Sequence, residues 1–384
     1  MKRVYMDHSA TTPVDYEVVR VMTETLTNNF GNPSSLHAFG EEARQALLKA
    51  RKQLAALISA DISEIVFTSG GTEANNMAII GAAQARKNRG KHLITSAIEH
   101  HAVLNTFQSL QNEGFDLTVL PVNMVGQIDP QDLQNAIRED TILVSLMHAN
   151  NEIGTIQMIP ALGEICRSRG IIFHTDAVQT VGRIPIDVKE LTVDLLSLSA
   201  HKFYGPKGVG ALYVRNGVQI NPLIYGGGQE SKQRSGTENI PGIVGMGKAA
   251  ELAEKYMPQR LEHLQLLGQT LFNRIMNEIP EAYLTGHPGA RLPGHISLVF
   301  PGIEGQSLLT FLDAEGIAAS GGAACSSNSF AVSHVLKALS IREEVAASSL
   351  RLSMGKDNSI EDIDYVMDVL PKLVERMKLL WVLQ

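Results

Sequence analysis

Two chemically active side chains end strand-like runs near the middle of this sequence. Lys202 closes the apolar run 195–202, and Asp176 closes the run 171–176. Side chains at the carboxyl ends of neighbouring parallel strands meet at one edge of a sheet. Pyridoxal phosphate requires a lysine for its aldehyde and an acid that keeps its ring nitrogen protonated. The pair therefore predicts a pyridoxal phosphate site, although most lysines are solvated and an Asp at this position also suits a helix N-cap.

The turn at residues 69–73, Ser-Gly-Gly-Thr-Glu, lies between a strand-like run and a helical pattern. Gly71 would let the backbone approach a ligand closely, the free amides of a helix start favour an anion, and Thr72 adds a hydroxyl. An ordinary N-cap with glycines in its turn explains the same residues. Ser199 and His201, which we expect at the same edge of the sheet, make phosphate binding the better interpretation.

Further polar side chains are candidates for the same site. Gln179 follows the run 171–176 closely and would reach the phenolic oxygen of the cofactor. An imidazole would stack on the ring and move protons, but the sequence does not say which of the adjacent His100 and His101 faces inward. The paired Asn150 and Asn151 would donate to a substrate carboxylate or to the ring oxygen, unless they only form an Asn-rich turn.

The sequence contains two cysteines, which lie in different settings. Cys166 belongs to a helical, apolar pattern and is expected to be a buried packing residue. Cys325 belongs to the run of small residues 319–329, so we expect an accessible, flexible loop in which its thiol can travel; a loop cysteine without function is the alternative. Arg351, in a strand-like run, would bind an α-carboxylate bidentately or form a structural ion pair.

Composition argues against several classes of protein. A chain of 384 residues and 41.7 kDa has room for two or more domains. The formal net charge of −7 is spread along the chain, which argues against nucleic acid or an anionic membrane as the main partner. No apolar run approaches the roughly 20 residues that span a bilayer, and the first residues lack a signal-peptide core. We therefore expect a cytoplasmic protein with reduced thiols.

Alternating strand-like and helical patterns define the elements that must position these residues. Between residues 65 and 214 they predict βαβ crossovers and a mostly parallel sheet, with an antiparallel last strand after the turn 205–208. A helix at 251–278, a strand at 295–300 and helices at 306–314 and 359–379 predict a smaller α+β domain. The predicted strands of the sheet are 65–68, 92–95, 116–120, 141–146, 171–176, 195–199 and 209–214, and the helices between them are 73–87, 102–113, 130–138 and 159–168.

The sequence resembles the cysteine desulfurases of the NifS/IscS type. The resemblance covers essentially the whole chain, with motifs in family order: Asp7-x-x-Ala10-Thr11-Thr12-Pro13, Gly31-Asn32-Pro33-Ser34-Ser35, Ser69–Glu73, Glu99-His100, Asn150–Gly154, His174–Gln179, Ser199–Lys202 and Arg234–Thr237. It implies an α/β pyridoxal-phosphate enzyme of fold type I, similar to aspartate aminotransferase, that works as a homodimer. A large domain of residues 16–255 would hold the mostly parallel seven-stranded sheet, and residues 1–15 and 256–384 would form the smaller α+β domain with the catalytic cysteine loop.

The resemblance also implies a role for each candidate residue. Lys202 would hold the cofactor covalently, Asp176 would pair with its ring nitrogen and His100 would stack on the ring. Cys325 would be the mobile nucleophile and a transient ligand of an iron–sulfur cluster shared with a scaffold protein. The other implied ligands are Gly71, Thr72, Asn151, Gln179, Ser199, Ala200 and His201 for the cofactor, Thr237 for the phosphate of the other subunit, and Arg351 with Asn151 for the substrate.

The implied reaction converts L-cysteine to L-alanine and leaves the sulfur on Cys325 as a persulfide. Lys202 and His100 would move the protons, and the sulfur would pass to an iron–sulfur scaffold or to another acceptor, such as one used in tRNA thiolation. Selenocysteine lyase and an aminotransferase are the alternative enzymes. A non-catalytic sulfur-relay subunit is the alternative of another class, and the intact Lys202, Asp176 and His100 argue against it.

Overall fold

The structure is a computed structural model that describes residues 2–322 and 332–382. Its strands are β1 (Val4–Tyr5), β2 (Ile65–Thr68), β3 (His92–Ser96), β4 (Asp116–Leu120), β5 (Thr141–Ser145), β6 (Ile172–Asp176), β7 (Leu195–Ser199), β8 (Gly210–Val214), β9 (Tyr283–Leu284), β10 (His295–Val299), β11 (Ile317–Ala318) and β12 (Leu350–Ser353). Its helices are α1 (Tyr16–Asn28), α2 (Ala38–Leu57), α3 (Gly71–Arg86), α4 (His101–Asn112), α5 (Pro130–Ala136), α6 (Ile159–Ser168), α7 (Ile240–Glu278), α8 (Gly305–Ala314), α9 (His334–Ala338), α10 (Glu343–Ala346) and α11 (Ile360–Val382).

Seven strands form the central sheet, in the order β2-β8-β7-β6-β5-β3-β4. The strands β4, β3, β5, β6 and β7 pair in parallel, whereas β8 is antiparallel to both of its neighbours. The short turn after β7 explains this reversal, since parallel strands need a long crossover. The predicted mostly parallel sheet and its antiparallel return strand are confirmed.

Alternate residues of the central strands enter two apolar clusters, one on each face of the sheet. In β6, Ile172 packs with α3 and α4, and Phe173 packs in the opposite cluster with α2, α6 and the first half of α7. In β7, Leu195 packs in the cluster with α3 and α4, and Leu196 packs in the opposite cluster. A sheet buried on both faces requires such nearly continuous apolar strands, and it leaves the strand ends for polar chemistry.

A third apolar cluster joins both chain ends with the C-terminal half of α7. Val4 and Met6 pack there with α8, α11 and the antiparallel sheet β12-β10-β9. The strand β1 also pairs in parallel with β11. The domain division at residues 16 and 256 stays a prediction, and α7 runs unbroken across the second of these positions.

The predicted start of the long helix at residue 251 is wrong, because α7 begins at Ile240. Its first turns contain a proline and three glycines, which conceal a helical pattern in the sequence. The glycines permit close packing: a Cβ on Gly245 would lie 2.7 Å from Sδ of Met22, and one on Gly247 would lie 2.5 Å from Cα of Ala50. The first half of α7 therefore lies directly against α1 and α2.

Candidate active site

Among the described residues, no helix is long and apolar enough to cross a membrane.

A cavity of about 300 Å³ opens at the edge of the central sheet where the parallel strands end. Ten of the predicted site residues line the cavity: Gly71, Thr72, His100, Asn151, Asp176, Gln179, Ser199, His201, Lys202 and Arg351. The remaining lining residues are Ser9, Ala10, Asn75, Met147, Ala149 and Val178.

The Lys202 amine lies on the short turn after β7 and faces the N-terminal segment. Its Nζ donates hydrogen bonds to the carbonyl oxygens of Ser9 at 2.5 Å and Ala10 at 2.8 Å. The side-chain amide of Gln179 donates to the same Ser9 carbonyl at 2.9 Å. The backbone of the N-terminal segment therefore forms the wall opposite the sheet edge and fixes the direction of the lysine.

Asp176 lies at the end of β6, a strand whose position is fixed by a buried histidine. His174 forms hydrogen bonds with Ser145 of β5 at 2.7 Å and Ser197 of β7 at 2.9 Å. Burial lowers the pKa of His174 to about 3, so this contact is made by a neutral ring. The register of the three strands therefore places the Asp176 carboxylate at the cavity.

The Asp176 carboxylate is 6% exposed and has two hydrogen-bond donors. Asn75 Nδ2 donates to one oxygen at 2.7 Å, and the backbone N–H of Val178 donates to the other at 3.0 Å. The second contact caps a turn; the helix N-cap that the sequence left as an alternative is not formed, because no helix lies in the described residues between Asp176 and β7. Both roles coexist, because the carboxylate caps its turn and still lines the cavity.

The structure distinguishes the two adjacent histidines. His100 lines the cavity and caps α4, since its Nδ1 accepts the backbone N–H of Ala102 at 3.0 Å. His101 is exposed. Burial lowers the pKa of His100, so the ring is neutral, and an Nδ1 that accepts leaves the proton on Nε2.

The predicted phosphate end lies at the start of α3. Gly71 has no room for a side chain, since a Cβ there would lie 2.8 Å from Cγ2 of Val178. His201 contacts the Thr11 hydroxyl at 3.1 Å through Nδ1, and burial together with Lys202 and Lys207 lowers its pKa to about 4. A neutral His201 and the start of a helix offer hydrogen-bond donors to an anion.

Two predicted cofactor ligands do not line the cavity. Ala200 is fully buried, and Thr237 is exposed on the surface of its own chain. Their predicted contacts, like the roles of the lining residues, stay predictions.

Arg351 lies in β12 and lines the cavity. It forms an ion pair with Asp7, 2.7 Å from Nη2 to Oδ1, and its Nη1 donates to the Asn151 carbonyl at 2.9 Å. The other Asp7 oxygen accepts the Ser320 hydroxyl at 2.8 Å. The ion pair that the sequence left as an alternative is therefore present, and it orients a guanidinium that also faces the cavity.

The paired asparagines have separate positions. Asn150 is fully buried, and its Oδ1 accepts the backbone N–H groups of Glu152 at 2.8 Å and Ile153 at 3.0 Å. Asn151 lines the cavity. The Asn-rich turn is thus formed by Asn150, and it directs Asn151 toward the site.

Cys325, predicted as the nucleophile and as a transient cluster ligand, lies outside the described residues. On one side of it, the Gly322 N–H donates to the Ser349 hydroxyl at 2.9 Å, and on the other, Ser333 donates to the Glu152 carboxylate. Cys166 is buried as expected, and burial raises the pKa of its thiol. Within the described ranges, no group of three or more His, Cys, Asp or Glu is arranged to hold a metal ion.

The cavity suits pyridoxal phosphate. Its volume is at the lower end of the range typical for small-molecule sites, roughly 300–1,000 Å³. The side-chain oxygens Oε1 of Gln179 and Oδ1 of Asn75 are buried and have no hydrogen-bond partner among the described residues. A buried acceptor is costly unless it is satisfied, and the orphaned Gln179 oxygen suits an O–H group on a bound molecule. Lys202 and Asp176 supply the amine and the carboxylate that the cofactor needs.

Asn75, Ser9 and Ala10 belong to the site but were missed by reasoning from residue types. Asn75 lies three residues after Thr72 in α3, so the helical period places both on one face, and this signal was available in the sequence. Ser9 and Ala10 contribute backbone carbonyls, which residue types do not reveal.

Known proteins match the chain over nearly its full length. The family model described as Aminotransferase class-V matches residues 4–366. "Cysteine desulfurase IscS" of Methanosarcina thermophila is 53% identical over 377 residues, 98% of this chain and 93% of that protein, and its namesake of Dictyoglomus turgidum is 52% identical over 98% and 96%. A solved structure titled "NIFS-LIKE PROTEIN" is 39% identical, covers 98% of this chain and 100% of its own, and superposes with a TM-score of 0.92.

Proposed function

The chain belongs to the aminotransferase class-V family, and we propose that within it the protein is a pyridoxal-phosphate-dependent cysteine desulfurase. It converts L-cysteine to L-alanine and passes the sulfur to an acceptor. One observation carries this function: a single cavity is lined by Lys202, by the Asp176 carboxylate with its Asn75 partner, by the neutral His100 and by a helix start suited to phosphate.

Bound pyridoxal phosphate supplies an electron-withdrawing ring that weakens the bonds at the substrate's α-carbon. Lys202 holds the cofactor and then moves a proton at the α-carbon through Nζ. His100 carries a proton on Nε2 and has its other nitrogen occupied by the Ala102 amide, so it presents one donor in a fixed direction. Asp176 keeps the ring nitrogen protonated, and Arg351 with Asn151 holds the substrate carboxylate.

The Cys325 thiolate attacks the sulfur of the bound substrate. A sulfur–sulfur bond forms, the carbon–sulfur bond breaks, and its electron pair remains on carbon, which takes up a proton on the way to alanine. A thiolate attacks far better than a thiol, so the reaction needs a cysteine that ionises at neutral pH. Cys166 is unsuited to this role because burial raises the pKa of its thiol.

The test is to incubate the full-length holoenzyme with sulfur-labelled L-cysteine and to locate the added sulfur by mass spectrometry. We expect one extra sulfur on Cys325, none on Cys166, loss of sulfide release in Cys325→Ser and normal release in the control Cys166→Ser. Extra sulfur on Cys166, or normal turnover of Cys325→Ser, would refute the assignment. Turnover of selenocysteine alone would favour the lyase.

We also propose a homodimer, supported by exposed apolar side chains. Leu36 is 97% exposed, Tyr225 is 82% exposed and Phe30 is 70% exposed, and Phe30 stacks on Phe39 at 5.4 Å. A cluster of exposed apolar side chains, such as the Phe30–Phe39 stack, is typical of a covered interface. Thr237, exposed on its own chain, would complete the phosphate site of the partner subunit. Sedimentation of the holoenzyme gives the mass directly.

The remaining assignments extend the same proposal. The acceptor is an iron–sulfur scaffold or another sulfur-accepting protein, with Cys325 as a transient cluster ligand, and the enzyme works in the cytoplasm. Residues 16–255 form the cofactor domain, and residues 1–15 and 256–384 form the smaller one. The shared apolar cluster of both chain ends supports this division.

A further inference from the structure

Glu73 occupies an unexpected position for a carboxylate in a phosphate-binding enzyme. It lies in the first turn of α3, directly after Gly71 and Thr72, and its Oε2 accepts the backbone N–H of Ser69 at 2.8 Å. The positive end of a helix dipole stabilises a carboxylate as well as a phosphate, so the two groups compete for it. Because both groups are negative, an unpaired carboxylate in this turn would also repel the phosphate group that the turn is expected to hold.

Arg234 compensates this charge. Its Nε lies 2.8 Å from one Glu73 oxygen and its Nη2 lies 3.3 Å from the other, which is the two-point geometry that arginine forms with carboxylates. The two side chains are 23% and 12% exposed, so solvent screens the pair only in part. Burial alone would raise the pKa of Glu73, but the hydrogen bonds from Arg234 and Ser69 hold it below its ordinary value. Glu73 is therefore charged at neutral pH.

A buried clamp holds the segment that presents Arg234. Arg51 binds both carboxylate oxygens of Glu230 at 2.6 and 2.9 Å, and one of these oxygens also accepts the N–H of Phe67 in β2 at 2.9 Å. Glu230, Ser231 and Lys232 have φ angles of 45°, 55° and 67°, a left-handed conformation that side chains disfavour. Three consecutive residues keep this conformation because the clamp fixes the turn, and Arg234 follows two residues later.

We propose that Arg234 is a positioning residue for the phosphate group of the cofactor, which it serves by neutralising Glu73 rather than by touching the phosphate. Glu73 orders the turn by accepting the Ser69 amide, and Arg234 removes the electrostatic cost of having a carboxylate there. The inference rests on the proposed function in one respect, namely that the start of α3 binds the phosphate of pyridoxal phosphate.

The experiment measures binding to the full-length protein after the cofactor has been removed. Pyridoxal phosphate is titrated against wild type, Arg234→Gln, Glu73→Gln and the double variant, and pyridoxal, which lacks the phosphate, is titrated in parallel. We expect Arg234→Gln to weaken pyridoxal phosphate about tenfold and pyridoxal less than twofold. Glu73→Gln should bind at least as tightly as wild type, since an amide oxygen still accepts the Ser69 N–H, and the double variant should recover most of the loss.

Lys356→Gln is the matched control. Lys356 pairs with Asp15, the N-cap of α1, at 2.8 Å, and these side chains are 25% and 13% exposed. The change therefore removes a cation from a carboxylate that is about equally buried and also lies at a helix start. No phosphate site is expected at that helix, so the affinity for pyridoxal phosphate should stay unchanged. Arg234→Lys keeps the positive charge, and its affinity for pyridoxal phosphate should be within threefold of wild type. This variant therefore distinguishes loss of the charge from damage to the fold.

Two outcomes would overturn the inference. If the double variant binds as weakly as Arg234→Gln, then Arg234 acts on the phosphate directly or through the fold. If Arg234→Gln weakens pyridoxal and pyridoxal phosphate equally, the effect does not concern the phosphate. Failure of the wild-type protein to bind pyridoxal phosphate would instead refute the proposed function.

Discussion

Replacing Asp176 by Asn tests the electrostatic part of the site with little change in shape. An opposite charge a few ångström away shifts the pKa of a titrating group by about 1–3 units, or ~1.4–4 kcal/mol. Asp176 is only 6% exposed, so solvent screens it weakly, and we expect an effect in the upper half of this range. The kcat for alanine formation should fall by about two to three orders of magnitude.

The structure explains why this variant should fold. The backbone N–H of Val178 needs an acceptor at residue 176, and the amide oxygen of Asn provides one. The Asn75 oxygen has no hydrogen-bond partner among the described residues, so its amide can rotate and accept the new NH₂ group. Only the negative charge is lost, and the free energy of unfolding of the cofactor-free protein should change by less than about 1 kcal/mol.

The assay follows alanine formation by the holoenzyme, with the visible absorbance measuring how much cofactor each subunit carries. Lys202 and the start of α3 should retain the cofactor in Asp176→Asn. Asp194→Asn is the control, because Asp194 is a buried carboxylate just before β7 that accepts the Phe173 N–H and pairs with Arg215 away from the cavity. A kcat within threefold of wild type at full cofactor occupancy would refute the role of Asp176.

Two further predictions concern ionisable groups beside the cavity. His100→Asn keeps a good N-cap for α4, so the melting temperature should change little while kcat falls by about 10²–10⁴, and steady-state kinetics with unchanged kcat would contradict the proton-moving role. Burial raises the pKa of Glu99 from 4.5 to about 8, so the folded protein retains a proton that the unfolded chain has lost. Relative to Glu99→Gln, wild type should therefore lose about 1.4 kcal/mol of stability per pH unit from pH 6.5 upward and about half of that per unit near pH 8, where Glu99 itself titrates. Urea unfolding at both pH values measures this, and parallel pH dependences would show that Glu99 is already ionised at pH 6.5.

The central sheet was largely predictable because its strands are short apolar runs with clear ends. The bounds of β2, β4 and β7 agree with the sequence pattern to the residue. The start of α7 could not be predicted, since its glycines serve packing against α1 and α2 and weaken the helical pattern. Tertiary contacts overrode local propensity at that point.

The site was predictable where chemistry depends on residue type at a strand end. Lys202 and Asp176 are of this kind, and the structure brings both to one cavity. The choice between His100 and His101 required the cap that turns one ring inward. The ion pair between Asp7 and Arg351 joins residues far apart in the chain, and no local pattern reveals such a pair.

The N-terminal segment explains how the two ends of the cavity keep a fixed separation. Asp7 holds the guanidinium of Arg351, and the carbonyls of Ser9 and Ala10, two and three residues later, hold the amine of Lys202. In the proposed function, the residue that holds the substrate carboxylate and the residue that holds the cofactor are thus both fixed by the four consecutive residues 7–10 of one backbone.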